Sequence, residues 1–142
     1  MSGFLLDTNV VSEFAKPKPD GRVVKWTAVT DESLVFLSVL SLGEIRKGIE
    51  RLQAGRRRAQ LESWLQVDLR SRFRDRILPL DEEIADRWGT IAALAAAQGR
   101  PVTVVDGLLA ATALHHNLTL VTRNGSDVAG IGVPTLNPWV ES

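Results

Sequence analysis

Apolar residues fall in two rhythms along this chain: short clustered runs, and longer stretches in which they recur every three or four positions. The runs cover residues 4–6, 34–38, 77–80, 118–121 and 133–136. The first does not alternate with polar residues, as expected of a strand covered on both faces in a parallel sheet. The periodic stretches lie between them. Residues 10–15 predict a brief helix that cannot pass Pro17 and Pro19, because proline lacks an N–H and restricts the residue before it. Asp20 starts a second helix, whose apolar side carries Val23, Val24, Trp26 and Ala28. A third opens at Ser41 with Leu42, Ile45, Ile49 and Leu52 on one stripe, Glu44 in its first turn and Gly55 at its end. Residues 57–73 predict a fourth, which buries Leu61, Trp64, Leu65 and Leu69 and leaves its arginines on the other faces. Asp81 is a good N-cap for the acidic start Glu82-Glu83 of a fifth, which Gly99 and Pro101 end. A sixth runs from Thr103 to about His116, and a glycine-rich loop, residues 122–132, precedes the last run. Strands separated by helices favour a parallel sheet with helices on both sides.

Composition narrows the class. At 142 residues and 44% hydrophobic content, the chain is expected to form one domain, 1–142, with a sizeable core. It has no cysteine, so disulfides and thiolate metal sites are excluded and a reducing compartment suits it. The start lacks a basic segment with a long apolar run behind it, and no stretch approaches the roughly 20 apolar residues of a membrane span. A cytoplasmic protein without membrane contact is expected. Seventeen basic residues balance seventeen acidic ones, which argues against a nonspecific polycation. The distribution is uneven: residues 46–76 hold ten basic side chains against four acidic. Arg46, Arg57 and Arg58 in that segment are candidate contacts for phosphates or for a protein partner, although a solvated helical face is the usual meaning of such charge.

Three acids fall at the carboxyl edge of the expected sheet, where open α/β folds gather their ligands. Asp7 ends the first strand, Glu44 follows the second, and Asp106 opens the helix that feeds the fourth. Carboxylates brought together repel and raise one another's pKa unless a cation holds them, so such a cluster points to a metal. Oxygen ligands select hard ions, here Mg²⁺ or Mn²⁺. The competing reading is structural. Asp7 or Thr8 would suit a helix cap, and Ser41-x-x-Glu44 and Thr103-x-x-Asp106 both match the capping-box spacing. Only spatial convergence separates capping from ligation. The segment Thr122-Arg123-Asn124-Gly125-Ser126-Asp127 brings further polar groups to the same edge, or is an ordinary Asn-Gly turn. His115 and His116 near a helix end are explained by the helix dipole. Asn117-Leu118-Thr119 fits a glycosylation pattern, which carries no weight without an export signal.

With Leu-Leu-Asp7-Thr-Asn-Val-Val-Ser-Glu, Ser-x-x-Glu44, Val-Val-Asp106-Gly-Leu-Leu-Ala-Ala-Thr-Ala and Leu-Val-Thr-Arg-Asn124 in this order, the chain resembles the PIN-domain family over nearly its whole length. More narrowly it looks like a VapC-type toxin of a bacterial type II toxin–antitoxin pair, and the final Asn-Pro-Trp suggests the FitB-like subgroup. The resemblance implies a three-layer α/β/α sandwich around a five-stranded parallel sheet, and a homodimer. It implies a metal-dependent endoribonuclease neutralised by an antitoxin encoded alongside, with DNA contacted only through that antitoxin. Asp7, Glu44 and Asp106 match the family's principal acids. Asp7 and Asp106 would hold the main Mg²⁺ or Mn²⁺ ion, and Glu44 would bind it or orient the water. Asp127 or Asn124 would fill the fourth position, while Asn9 and Thr122 match polar neighbours that orient the ligands. Two other functions remain open at this point. One is a non-catalytic regulator acting through a DNA-binding partner. The other is a phosphatase of the aspartyl-phosphate class, disfavoured because Asn9 stands where such chemistry needs a second acid.

Overall fold

The computed structural model describes residues 3–140. Five strands form one all-parallel sheet in the order β3-β2-β1-β4-β5. β1 (Phe4–Leu6) sits in the middle, between β2 (Val35–Ser38) and β4 (Thr119–Val121), with Leu5 opposite Phe36 on one side and Leu120 on the other. The short strands β3 (Ile77–Leu78) and β5 (Thr135–Leu136) close the edges. Successive strand residues face opposite sides of a sheet. Leu5 accordingly packs with Leu109, Ala110, Ala113 and Leu120, whereas Leu6 packs with Val10, Leu37, Ile45 and Leu65. Both are fully buried, so the unalternating run reports helices on each face.

On the Leu6 side lie α1 (Thr8–Glu13), α2 (Gly21–Val29), α3 (Val39–Glu50) and the helix that follows. That last helix is composite: α4 (Arg56–Ser63) continues without a break through a π-helical stretch, Trp64–Leu69, into α5 (Arg70–Arg72). Its inward residues Leu61, Leu65, Leu69 and Phe73 recur every four positions, a longer period than the 3.6 of an α-helix. The wider central turn keeps them on one face. On the Leu5 side α7 (Val104–His115) packs on the sheet, and α6 (Glu82–Ala97) packs on α7 through Ile84 and Ile91. Both helices end in the same way. The N–H groups of Gly99 and Arg100 return to the carbonyls of Ala96 and Ala95, and those of Asn117 and Leu118 return to Leu114 and Ala113. This is the Schellman arrangement, and it requires the left-handed backbone that Gly99 and Asn117 adopt, φ 72° and 55°.

The element boundaries depart from the sequence-based expectation in one place that matters. α3 begins at Val39, because Ser38, the last strand residue, is its cap: its Oγ accepts from the Leu40 N–H at 3.1 Å. Ser41 is therefore inside the helix and fully buried, and Glu44 lies in the second turn instead of the first. Among the described residues no helix is long and apolar enough to cross a membrane.

The entry to β1 is tight. A Cβ on Gly3 would collide with the carbonyl oxygen of Leu34, which is backbone and cannot swing aside. Gly3→Ala is expected to cost about 1–3 kcal/mol, as overpacking does. Chemical denaturation should show a lower midpoint at unchanged slope, and an unchanged midpoint would refute the close approach.

Candidate active site

All strands point the same way, so every residue that follows a strand arrives at one edge. α7 runs back toward the opposite edge to feed β4, which brings its first turn to that same place. Asp7 leaves β1 there. Its N–H extends the ladder to the Val121 carbonyl at 2.9 Å, and its side chain caps α1, with Oδ1 accepting from the Thr8 N–H at 2.7 Å. Oδ2 accepts from the Thr122 hydroxyl at 2.7 Å. Thr122 is only 2% exposed and is itself pinned: its N–H donates to Leu136 and its Oγ accepts from the Asn124 N–H at 3.1 Å. Asp7 is thus both a cap and a rigidly oriented acid.

Glu44 does not cap its own helix. Its Oε1 accepts a short hydrogen bond, 2.5 Å, from the Thr8 hydroxyl. Thr8 Oγ also lies 3.0 Å from Ser41 Oγ. A hydroxyl has one proton, so with Thr8 donating to the carboxylate, Ser41 is the donor in the second contact. The Ser41, Thr8, Glu44 chain ties α3 to the residue next to Asp7. Neither Thr8 nor Ser41 stood out in the sequence as part of the site, since both types read there as caps. At Asp106 half of the expected capping box is formed. Thr103 caps α7, its Oγ accepting from the Asp106 N–H at 3.1 Å, and its hydroxyl also hydrogen-bonds the Asp106 carboxyl.

Charge draws the acids into one group. Burial chiefly raises the Asp7 pKa, and the charges of Glu44 and Asp127 raise it further against the hydrogen bonds from Thr122 and Thr8. Asp106 is raised by burial, then by the charges of Asp7 and Asp127. The charge of Asp127, in the 3₁₀ turn Gly125–Val128, acts on both, and Asp127 lines one cavity with Asp106, while the exposed Asn124 side chain makes no hydrogen bond among the described residues. No ion pair of the described residues reaches any of the four carboxylates. Nor do three of them close around a single point in this conformation. Four acids with oxygen donors only, two of them held above their ordinary pKa and none paired with a basic side chain, are a donor set that fits a hard divalent cation. Asn9, in the first turn of α1, adds an unpartnered acceptor: its Oδ1 is buried without a donor among the described residues.

Half of the ten basic side chains of the segment are engaged within the molecule. Arg46 lies 3.5 Å from Glu50, Arg57 donates to the Ala15 carbonyl at 3.0 Å, and Arg58 bridges Glu50 and Glu62. Arg72 and Arg76 hold Glu32. Arg57 also rims a groove of about 310 Å³ that starts at Thr8 and Glu44 and runs between Ile45, Ile49, Leu61 and Trp64.

This sheet order, with acids from β1, α3, α7 and the loop after β4 on one edge, is that of a known class. The chain belongs to the PIN domain family, whose model matches residues 4–130. Within it the similarity is to toxins of the VapC type. The chain is 37% identical to Toxin FitB of Neisseria gonorrhoeae, over 95% of this chain and 97% of that protein. It is 32% identical to VapC ribonuclease Y4jK of Sinorhizobium fredii, over 95% and 96%. A structure of FitAB bound to an IR36 DNA fragment superposes with a TM-score of 0.91 at 34% identity, covering 98% of this chain and 97% of that one.

Proposed function

We propose that this protein is the ribonuclease toxin of a toxin–antitoxin pair, a cytoplasmic homodimer that hydrolyses RNA phosphodiester bonds with Mg²⁺ or Mn²⁺. The observation that carries the reading is the group of four unpaired carboxylates, Asp7, Glu44, Asp106 and Asp127, sharing one field at the carboxyl edge. Asp7 and Asp106 would hold the principal ion, with Glu44 and Asp127 beside it. When bound, such an ion polarises the phosphate and lowers the pKa of a water. The chain's own part is orientation. Thr122 and the Thr8 N–H fix both oxygens of Asp7, and the Ser41, Thr8, Glu44 chain holds the second acid on the same side. With a catalytic ion held by carboxylates, no side-chain nucleophile is needed.

The relatives point to the partner. One similar structure is FitAB bound to a DNA fragment, and for this chain the proposed DNA contact is through an antitoxin. An uncompensated acidic group attracts a cation, so the antitoxin would extend a basic side chain to Asp7 and its neighbours. Its apolar residues would fill the groove beside Glu44.

Incubation of the purified protein with total RNA tests the function. Cleavage should require Mg²⁺ or Mn²⁺ and stop on chelation, whereas intact RNA under every metal condition would favour a non-catalytic regulator. The fourth position is tested in the same assay. Asp127 lines a cavity with Asp106 and its charge acts on Asp7, whereas Asn124 carries no charge, so Asp127→Ala is expected to lower cleavage about tenfold or more and to weaken Mn²⁺ binding. Asn124→Ala should change either by less than about threefold. The reverse order of effects would make Asp127 an ordinary loop acid.

A further inference from the structure

Beside Asp106 a cavity of about 310 Å³ opens between the α6–α7 corner and the loop after β4, and Arg100, Asp106, Ser126 and Asp127 all line it. Arg100 differs from the arginines of the basic segment. Its side chain makes no hydrogen bond or ion pair among the described residues, although two carboxylates line the same cavity. Its backbone, by contrast, is fixed. The Arg100 N–H closes the Schellman turn on Ala95 at 2.9 Å, and Pro101 locks the next residue. The guanidinium reaches toward the loop after β4, where a Cβ on Gly130 would come within 3.7 Å of Nη1 and 3.6 Å of Gln98 Oε1.

We propose that this cavity binds the backbone phosphate next to the scissile bond of the RNA, with the Arg100 guanidinium and the exposed Ser126 hydroxyl as donors. The inference rests on the nuclease reading above. An acidic centre repels every phosphate of the substrate except the one its ion neutralises, so the neighbouring phosphate needs a cation supplied by the chain. A guanidinium suits that task, because its planar donors match two phosphate oxygens at once. Its backbone is already fixed by the corner, so binding costs the freedom of the side chain alone.

The test measures binding of a labelled single-stranded RNA oligonucleotide of mixed sequence on an Asp7→Asn background, as a function of salt. Adding Arg100→Ala should weaken binding about tenfold at low salt and reduce the slope of log affinity against log salt by about 0.7, the loss of one phosphate contact. Arg100→Lys should restore the slope with only part of the affinity. Arg74→Ala, immediately before β3 at the opposite edge, should leave both unchanged. Equal affinity and slope with and without Arg100 would overturn the inference, as would absence of any binding by the parent. Failure of the nuclease reading shows separately, as wild-type protein that binds the oligonucleotide and leaves it whole with Mn²⁺ present. Should Arg100→Ala unfold, Arg100→Gln, which keeps the stem, gives the same comparison.

Discussion

Asp7→Asn is expected to abolish RNA cleavage while making the protein harder to unfold at neutral pH. The loss of activity follows from charge: the variant keeps the shape of the side chain and removes one of the two acids assigned to the ion. Transition-state stabilisation by a catalytic metal amounts to several kcal/mol, and about 3 kcal/mol is a hundredfold in rate. The gain in stability follows from linkage. The Asp7 pKa is raised by burial and by Glu44 and Asp127, so the native state holds its proton more tightly than the unfolded chain does. Stability then falls as pH rises from the ordinary carboxylate range, about 4, through the raised native pKa, and the loss is complete above it. Asparagine does not titrate, so the variant escapes this loss. Its oxygen can still accept from the Thr8 N–H, and its amide can donate to the Thr122 oxygen, because the hydroxyl can turn. Thermal unfolding at several pH values without divalent ions is the measurement. The difference in Tm between variant and wild type should be positive near pH 7 and shrink toward zero below pH 4. A Tm below wild type at pH 7 would show that the carboxylate is a net stabiliser, and wild-type cleavage would remove Asp7 from the site.

Arg76→Ala should lower stability by about 3 kcal/mol and leave the salt dependence of RNA binding untouched. Arg76 belongs to the segment whose positive charge suggests phosphate contact, but the fold uses it otherwise. Its Nη1 donates to the carbonyls of Glu32 and Val35 at 2.7 and 2.5 Å, and its Nη2 to that of Arg72 at 2.6 Å. The guanidinium also stacks 4.7 Å from the Phe73 ring centre. These bonds join the end of the composite helix to the start of β2. A charge-assisted hydrogen bond is worth about 1.5–3 kcal/mol net, and the three share one side chain, so the sum is not additive. Denaturant unfolding of Arg76→Ala beside Arg74→Ala separates the roles. If the two lose the same small amount, below roughly 0.5 kcal/mol, Arg76 is a surface charge after all.

The same contrast shows how far the basic segment could be read in advance. Ten basic residues against four over residues 46–76 are visible in the sequence, but a charge count does not say what each side chain faces. Arg58 meets Glu62 one turn along its own helix, a pairing the spacing permits. Arg72 meets Glu32 forty positions away, which only the fold can arrange. Arg100 was passed over in the sequence because it stands alone between a helix-ending glycine and a proline. That turn is what gives it a fixed place.

The sequence by itself determined the elements. Unalternating runs such as Phe4-Leu5-Leu6 must be covered on both sides, periodic stretches must turn one face inward, and prolines, glycines and capping acids set most of the ends. These are local properties, carried by neighbours a few residues apart, and they were enough for a parallel sheet with helices on both faces and three acids near one edge. The tertiary structure alone decided what each acid does. Ser38 and Ser41 are both able to cap, and the choice between them turns on Ser38 being the last residue of β2. Each residue of shift rotates a helix by about 100°, so that choice aims Glu44 at Thr8 and away from its own helix end. The contacts that follow span 36 positions from Thr8 to Glu44 and 115 from Asp7 to Thr122. Whether a carboxylate caps a helix or shares a field with other acids depends on distances of this kind, which strand order sets and local spacing does not encode.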